Sequence, residues 1–409
     1  MSTDHTGSTD STDSTDAADS TETAVSADSA SSPVPVAPAS AAASGGLPGG
    51  IRTIPEFAGV REVWPRGDRL AAVRAAAEAY RERFRSQGEI TAVRTFDIAA
   101  APYPTKFAFN GSALAVNPFV NIANRVLVVR YQDFEGNPRT LVWEPTVAAG
   151  SREAPYYAQL QSIFGDFLSN RVFTRYYHEP EDVLPLCGVR PEEVDYVSFD
   201  HLHVQDVRMI MGSSRAFPGE RTPPAALFPN ASMLVHRKEL GTFESPHPMQ
   251  WAWYVDGGMD GVPEERVVPF EGDIELGVGI SLVWTPGHTD GNHSLVLNTP
   301  DGIWVSSENG VAADNWQPEL SRIPGVKRHA RFFGREIVPN ANTLEDSLDQ
   351  YDSMVLEKTL ADPSRRDPRW RQVLPSSELV RWKRQWPVVP TFTHGGLNHG
   401  SFSRSGAAG

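Results

Sequence analysis

At 409 residues, with a net charge of −14 and no basic cluster, the chain has room for one large or two ordinary domains. It is unsuited to the phosphate neutralisation on which nuclease affinity depends. Its single cysteine, Cys187, excludes an intrachain disulfide framework and a cysteine-rich zinc site. No stretch approaches the ~20 apolar residues of a membrane span, and the start is acidic rather than basic then apolar, so the cytoplasm is the expected compartment.

Residues 1–46 repeat a Ser-Thr-Asp triplet at 8–10, 11–13 and 14–16, then turn Ala/Ser/Pro-rich with almost no large apolar side chains. They hold six Asp and one Glu with no Lys or Arg, half of the net charge. Such a segment cannot bury enough surface to offset its ordering entropy, which predicts a disordered, solubilising tail. Residues 47–93 are predicted as a helical N-terminal extension. Asp68 stands before the good helix formers of residues 69–80, and Gly88 lies past their end. Residues 125–131 and 139–143 flank Glu135-Gly136-Asn137-Pro138 as a hairpin would, and residues 156–168 read as a helix.

Residues 194–203, an apolar run closed by His201 and His203, read as a strand. Side chains two apart leave the same face of a strand, so both imidazoles could grip one metal ion, with the Asp206 carboxylate close behind. Without further ligands, two such histidines would read as ordinary core or rim residues. Trp251, Trp253 and Tyr254 follow and read as loop packing rather than as a pocket wall. Residues 280–284 are strand-like and are cut by the turn Thr285-Pro286-Gly287 directly before His288. Residues 294–298 and 303–306 flank Thr299-Pro300-Asp301-Gly302 as a second hairpin, whose far arm runs into Glu308. Thr343, Leu344, Leu348, Tyr351 and Val355, with Asp346 in a capping-box-like position, form a helical stripe that reads as core. Residues 388–393 read as a last strand, ending in His394-Gly395-Gly396. His293 reads as structural, and His399 competes with His394 for the role of final ligand.

This series of motifs resembles the metallo-β-lactamase superfamily of metallohydrolases. Its members carry His-x-His-x-Asp-His after a strand, a Thr-Pro-Gly-His turn, an acidic residue after a later strand and a final histidine. Here His201, His203, His288, Glu308 and His394 match in order, and the resemblance spans roughly residues 94–400, within a metallo-β-lactamase-like domain of residues 94–409. It implies an α/β fold, a four-layer αββα sandwich. Where the family has Asp-His, this chain has Gln205-Asp206. Gln is a poor ligand beside carboxylate or imidazole, and Asp206 is suited either to replace the histidine or to cap a following helix.

The resemblance implies a divalent metal cofactor of one or two ions: one on His201, His203 and His288 and, in the two-ion arrangement, a second on Asp206, Glu308 and His394. The alternative is a single-metal site. Zinc is the default for such donors, and iron and manganese accept the same set. A bound divalent ion lowers the pKa of water to about 7 and polarises a carbonyl. Asp206 and Glu308 could orient the water and return a proton. The function expected is hydrolysis of an ester, lactone, amide or related bond of a small-molecule substrate, with neither nucleic acid nor membrane as partner. Two alternatives share the fold: a non-haem di-iron oxidoreductase, favoured by carboxylate donors, and a binding protein that has lost catalysis, suggested by Gln205.

Overall fold

The computed structural model describes residues 47–341 and 348–402. The acidic tail and the expected Thr343, Leu344 and Asp346 lie outside the described residues. In chain order the strands begin with β1 (Arg52–Thr53), β2 (Ala92–Pro104), β3 (Phe119–Gln132), β4 (Pro138–Trp143) and β5 (Arg175–Tyr176). Next come β6 (Tyr196–Ser198), β7 (Ser232–His236), β8 (Val267–Phe270), β9 (Ile274–Gly277) and β10 (Ile280–Trp284). The last are β11 (His293–Thr299), β12 (Gly302–Ser307), β13 (Val373–Pro375), β14 (Ser377–Leu379) and β15 (Asn398–Gly400).

They form two sheets. One has six strands in the order β1-β9-β10-β11-β12-β13, antiparallel except where β13 runs parallel to β12. The other has nine, along the path β15-β2-β3-β4-β6-β7-β8, with β14 beside β3 and β5 beside β2. The long β2 and β3 change neighbours along their length: β3 pairs with β4 near Leu127 and with β14 near Ile122. Period-two alternation decides which residues meet. Leu127, Val129 and Tyr131 share one core with Leu282, Leu295 and Leu297 of the opposite sheet. The intervening Val126 and Val128 face the other way, onto the helix Pro180–Cys187 through Val183 and Leu184. On the far side Val283, Val296 and Val305 bury against the helices Arg66–Gln87 and Leu348–Leu360. Helix, sheet, sheet, helix is the layer order this produces, as the α/β sandwich reading expected.

The helix Arg66–Gln87 starts directly after Pro65, so the expected cap, Asp68, falls inside its first turn. It ends at Gly88, whose φ of +121° suits a residue without a side chain. Val73, Ala77, Tyr80 and Phe84 give it a buried stripe, so the segment forms part of an outer layer of the sandwich. Both expected hairpins are present, β3–β4 and β11–β12. Two expected strands differ, one shortened and one absent. Only Tyr196–Ser198 of the 194–203 run pairs in the sheet, and the chain leaves it before His201. Residues 388–393 form no strand: Pro387 and Pro390 interrupt the run, and proline cannot donate to a ladder. No helix among the described residues is long and apolar enough to cross a membrane.

Candidate metal centre

The loop after β6 brings His201 and His203 against His288, which lies on the turn after β10. Their ring centroids are 4.6 Å (201–203), 4.5 Å (201–288) and 5.2 Å (203–288) apart. One ring nitrogen of each lies within 4.8 Å of the others, and all three residues are buried. Burial, reinforced by the neighbouring His201, holds His203 and His288 well below the usual imidazole range. Neutral imidazoles offer the lone pairs that a divalent cation requires.

Buried carboxylates, rather than strand pairing, hold this loop. The Asp200 N–H donates to Glu144, and the Leu202 N–H donates to Glu239 Oε1 at 2.8 Å. Glu239 also accepts from the Thr289 hydroxyl, so one side chain fastens the His201–His203 loop to the His288 turn. Asp200 pairs with His201 Nδ1, leaving Nε2 for the centre, and itself accepts from the Ser376 hydroxyl at 2.6 Å. Val204, at φ +55°, turns the chain away, with its N–H donating to the Trp253 carbonyl at 2.6 Å.

The His288 turn depends on Gly287, whose φ is +133°. A Cβ there would lie 2.3 Å from the Gln350 nitrogen. Gly287→Ala is therefore expected to cost about 1–3 kcal/mol in backbone strain alone and to weaken metal retention. A lower melting temperature with retained metal would show that the turn does not place His288.

Glu308, in the loop after β12, lines the same cleft as the three histidines. Burial, and then the negative charge of Asp200, push its carboxyl well above the usual range, an effect that Ser377 partly offsets. The flanking residues are fixed by Glu357, which accepts from Ser307 (2.8 Å), Asn309 (2.7 Å), Ser294 (3.0 Å) and the Trp316 indole (2.8 Å).

No protein-family model matches the sequence. An N-acyl homoserine lactonase of Bacillus thuringiensis is 23% identical over 194 residues, 42% of this chain and 69% of that protein. Among solved structures, a dizinc quorum-quenching lactonase in complex with a product aligns over 76% of this chain and 94% of its own, with a TM-score of 0.44 and 11% identity. A hydrolase in the beta-lactamase superfamily aligns over 65% and 84%, with a TM-score of 0.38 and 14% identity. Two facing sheets flanked by helices, with the histidine loops following β6 and β10, stand where the motif order places them. The chain is a four-layer αββα sandwich, the architecture that its motifs imply.

Within this sandwich, the remaining expected ligands lie outside the histidine trio. Asp206 does not face the cleft. Arg208, two residues on, takes both its oxygens at 2.8 Å, and the Arg208 N–H donates to Oδ1 at 3.2 Å as the helical turn Arg208–Met211 begins. The Asp206 carboxylate is engaged by Arg208, and the N-cap of that turn is Val207. It is Gln205 that lines the cleft, with its amide donating to the Thr146 hydroxyl at 2.8 Å. His394 is also outside the group, packed edge-on against Trp304 (5.0 Å) and Phe392 (4.9 Å). The chain that reaches the site beside β12 is β13, and it delivers Ser376 and Ser377. His293 is structural, in line with its sequence context: its ring meets the Ser198 hydroxyl at 3.1 Å, and burial lowers it to about 4.

The cleft encloses about 890 Å³, open solvent at its mouth included. Trp253, expected as loop packing, instead forms part of its wall, stacked on Tyr156 at 4.2 Å. Tyr254 packs edge-on to His203 at 4.7 Å, whereas Trp251 is exposed. Glu144, Asp200, Glu239 and Glu357 do not stand out in the sequence, because no spacing sets them apart from ordinary acids.

Proposed function

We propose that the protein hydrolyses carboxylic esters or lactones of small molecules with one divalent ion, zinc, held by His201, His203 and His288. The observation that carries this reading is the buried trio of imidazoles within 4.8 Å on the wall of a substrate-sized cleft. The sequence likeness to an N-acyl homoserine lactonase supports the ester or lactone class. A single ion is supported by the Asp206–Arg208 pairing, by His394 packing elsewhere, and by Gln205 and Ser377 standing in the cleft where further ligands would be needed.

A divalent ion in the trio supplies water activation and carbonyl polarisation. The protein's own groups do the rest. Asp200 fixes the ring of His201, and Glu144 and Glu239 hold the loop backbone, so the donor geometry is preorganised. Glu308 carries the proton. Burial and the negative charge of Asp200 raise its carboxyl above the usual range, and a divalent ion held by the trio would favour the ionised form. The carboxylate then accepts a proton from the attacking water as the new C–O bond forms. It returns that proton to the departing alkoxide as the old C–O bond breaks, leaving acid and alcohol.

The test is metal content together with turnover. One zinc per chain as isolated is expected, with loss of lactone and aryl-ester hydrolysis on chelation and recovery on adding zinc back. Hydrolysis that survives complete metal removal would sink the proposal, and two ions per chain would overturn its single-ion form.

A further inference from the structure

The metal cleft does not end at its own walls. Arg152, Tyr157 and Thr174 line it and also line a second cleft of about 930 Å³, open solvent included. The second cleft lies between the segment 155–173 and the start of β3, with Arg384 and Gln385 at its edge. Phe119, Leu160, Phe164 and Phe173 give it apolar walls, and the last two meet edge-on at 5.3 Å.

Its charge is one-sided. Among the described residues, Arg152 and Arg384 line it and no Asp or Glu does. Glu179, whose carboxyl feels Arg152, lines neither cleft. The Arg384 guanidinium donates to the Val172 carbonyl at 2.7 Å and to Asn121 Oδ1 at 3.3 Å, both neutral acceptors, and lies 4.3 Å over the Trp382 ring. A cation held in place by neutral partners at the rim of an apolar channel is suited to an anion presented at the end of an apolar arm.

We propose that this second cleft is a substrate subsite, taking an apolar arm that ends in an anionic group while the ester or lactone sits at His201, His203 and His288. The inference rests on the hydrolase reading above and adds the shape and charge of the substrate. The substrate is elongated, with the scissile carbonyl at one end, an apolar middle and an anion at the far end.

The probes are p-nitrophenyl acetate and paired p-nitrophenyl esters of four to ten carbons, each pair ending in methyl or in carboxylate. With the zinc-loaded full chain, at least one carboxylate-ended ester is expected to exceed its methyl-ended counterpart about tenfold in kcat/KM. That is the size of a single charge-assisted contact. Arg384→Ala should bring the ratio close to one through KM while leaving acetate turnover unchanged. Should Arg384→Ala disturb the fold, seen as lost acetate turnover, Arg384→Gln keeps donors for Val172 and removes the charge, and the same loss of preference is expected. Equal or better turnover of the methyl-ended esters at every length overturns the subsite, as does a preference that survives both Arg384→Gln and Arg152→Gln. If acetate turnover is metal-dependent but shows no chain-end preference, only the subsite fails. If no ester is turned over by the wild type, the hydrolase reading fails with it.

Discussion

Replacing His201 and His288 together by alanine is expected to remove bound metal and lower kcat/KM by at least about three decades, with the fold retained. A metal ion's share of transition-state stabilisation is several kcal/mol, and about 1.36 kcal/mol corresponds to each decade of rate. The fold should persist because the loops are fastened by groups other than the imidazoles. Glu239 takes the Leu202 N–H and the Thr289 hydroxyl, and Glu144 takes the Asp200 N–H. Elemental analysis, far-UV circular dichroism and turnover of the same preparation check the three parts. Native-like turnover in the double variant would refute the metal-centre reading.

Glu308→Gln is expected to lower kcat by about 10²–10⁴-fold, the usual contribution of a positioned proton carrier, with metal content unchanged. The amide is close in shape to the carboxylate, but it cannot take a proton from water. The sign of the pH effect follows from the role. A carboxylate base must lose its own proton before it can take one from water, so wild-type kcat/KM should rise with pH along an acid limb set by Glu308. The Glu308→Gln variant should lack that limb. Asp206→Ala is the matching control: its carboxylate is committed to Arg208, so metal content and kcat should change little. A variant at Asp206 that lost an ion would restore the two-ion arrangement.

Much of this site is legible in the amino-acid sequence, and the reasons are local. The run 280–284 and the turn Thr285-Pro286-Gly287 are β10 and the bend that presents His288. The turn residues 299–302 join β11 to β12, which carry the chain to Glu308. The His201–His203 spacing points to a shared centre, although both rings project from a loop held by distant carboxylates rather than from a strand.

What the sequence does not disclose is non-local. The make-up of the far side of the site turns on which strand lies beside β12. That is β13, paired in parallel after an excursion of some sixty-five residues, and no local pattern marks Ser376 and Ser377 as its delivery. Asp206 is lost to the site for two reasons. Arg208 sits close enough to take both its oxygens. The absent side chain of Gly150 leaves room for it to turn outward, since a Cβ there would lie 2.6 Å from the Asp206 Cβ. Trp253 becomes a cleft wall only because Tyr156, nearly a hundred residues earlier, stacks on it.

The four donors gathered by Glu357 carry a consequence for anyone seeking to re-engineer this protein. Asn309 gives its amide to Glu357 and also reaches the Thr285 carbonyl at 3.3 Å, so the loops bearing Glu308 and His288 hang from a common peg. Grafting either loop from another scaffold without its mate, or without a carboxylate at 357, would leave an unmatched socket in the protein interior. Productive transplants should move the three as a set.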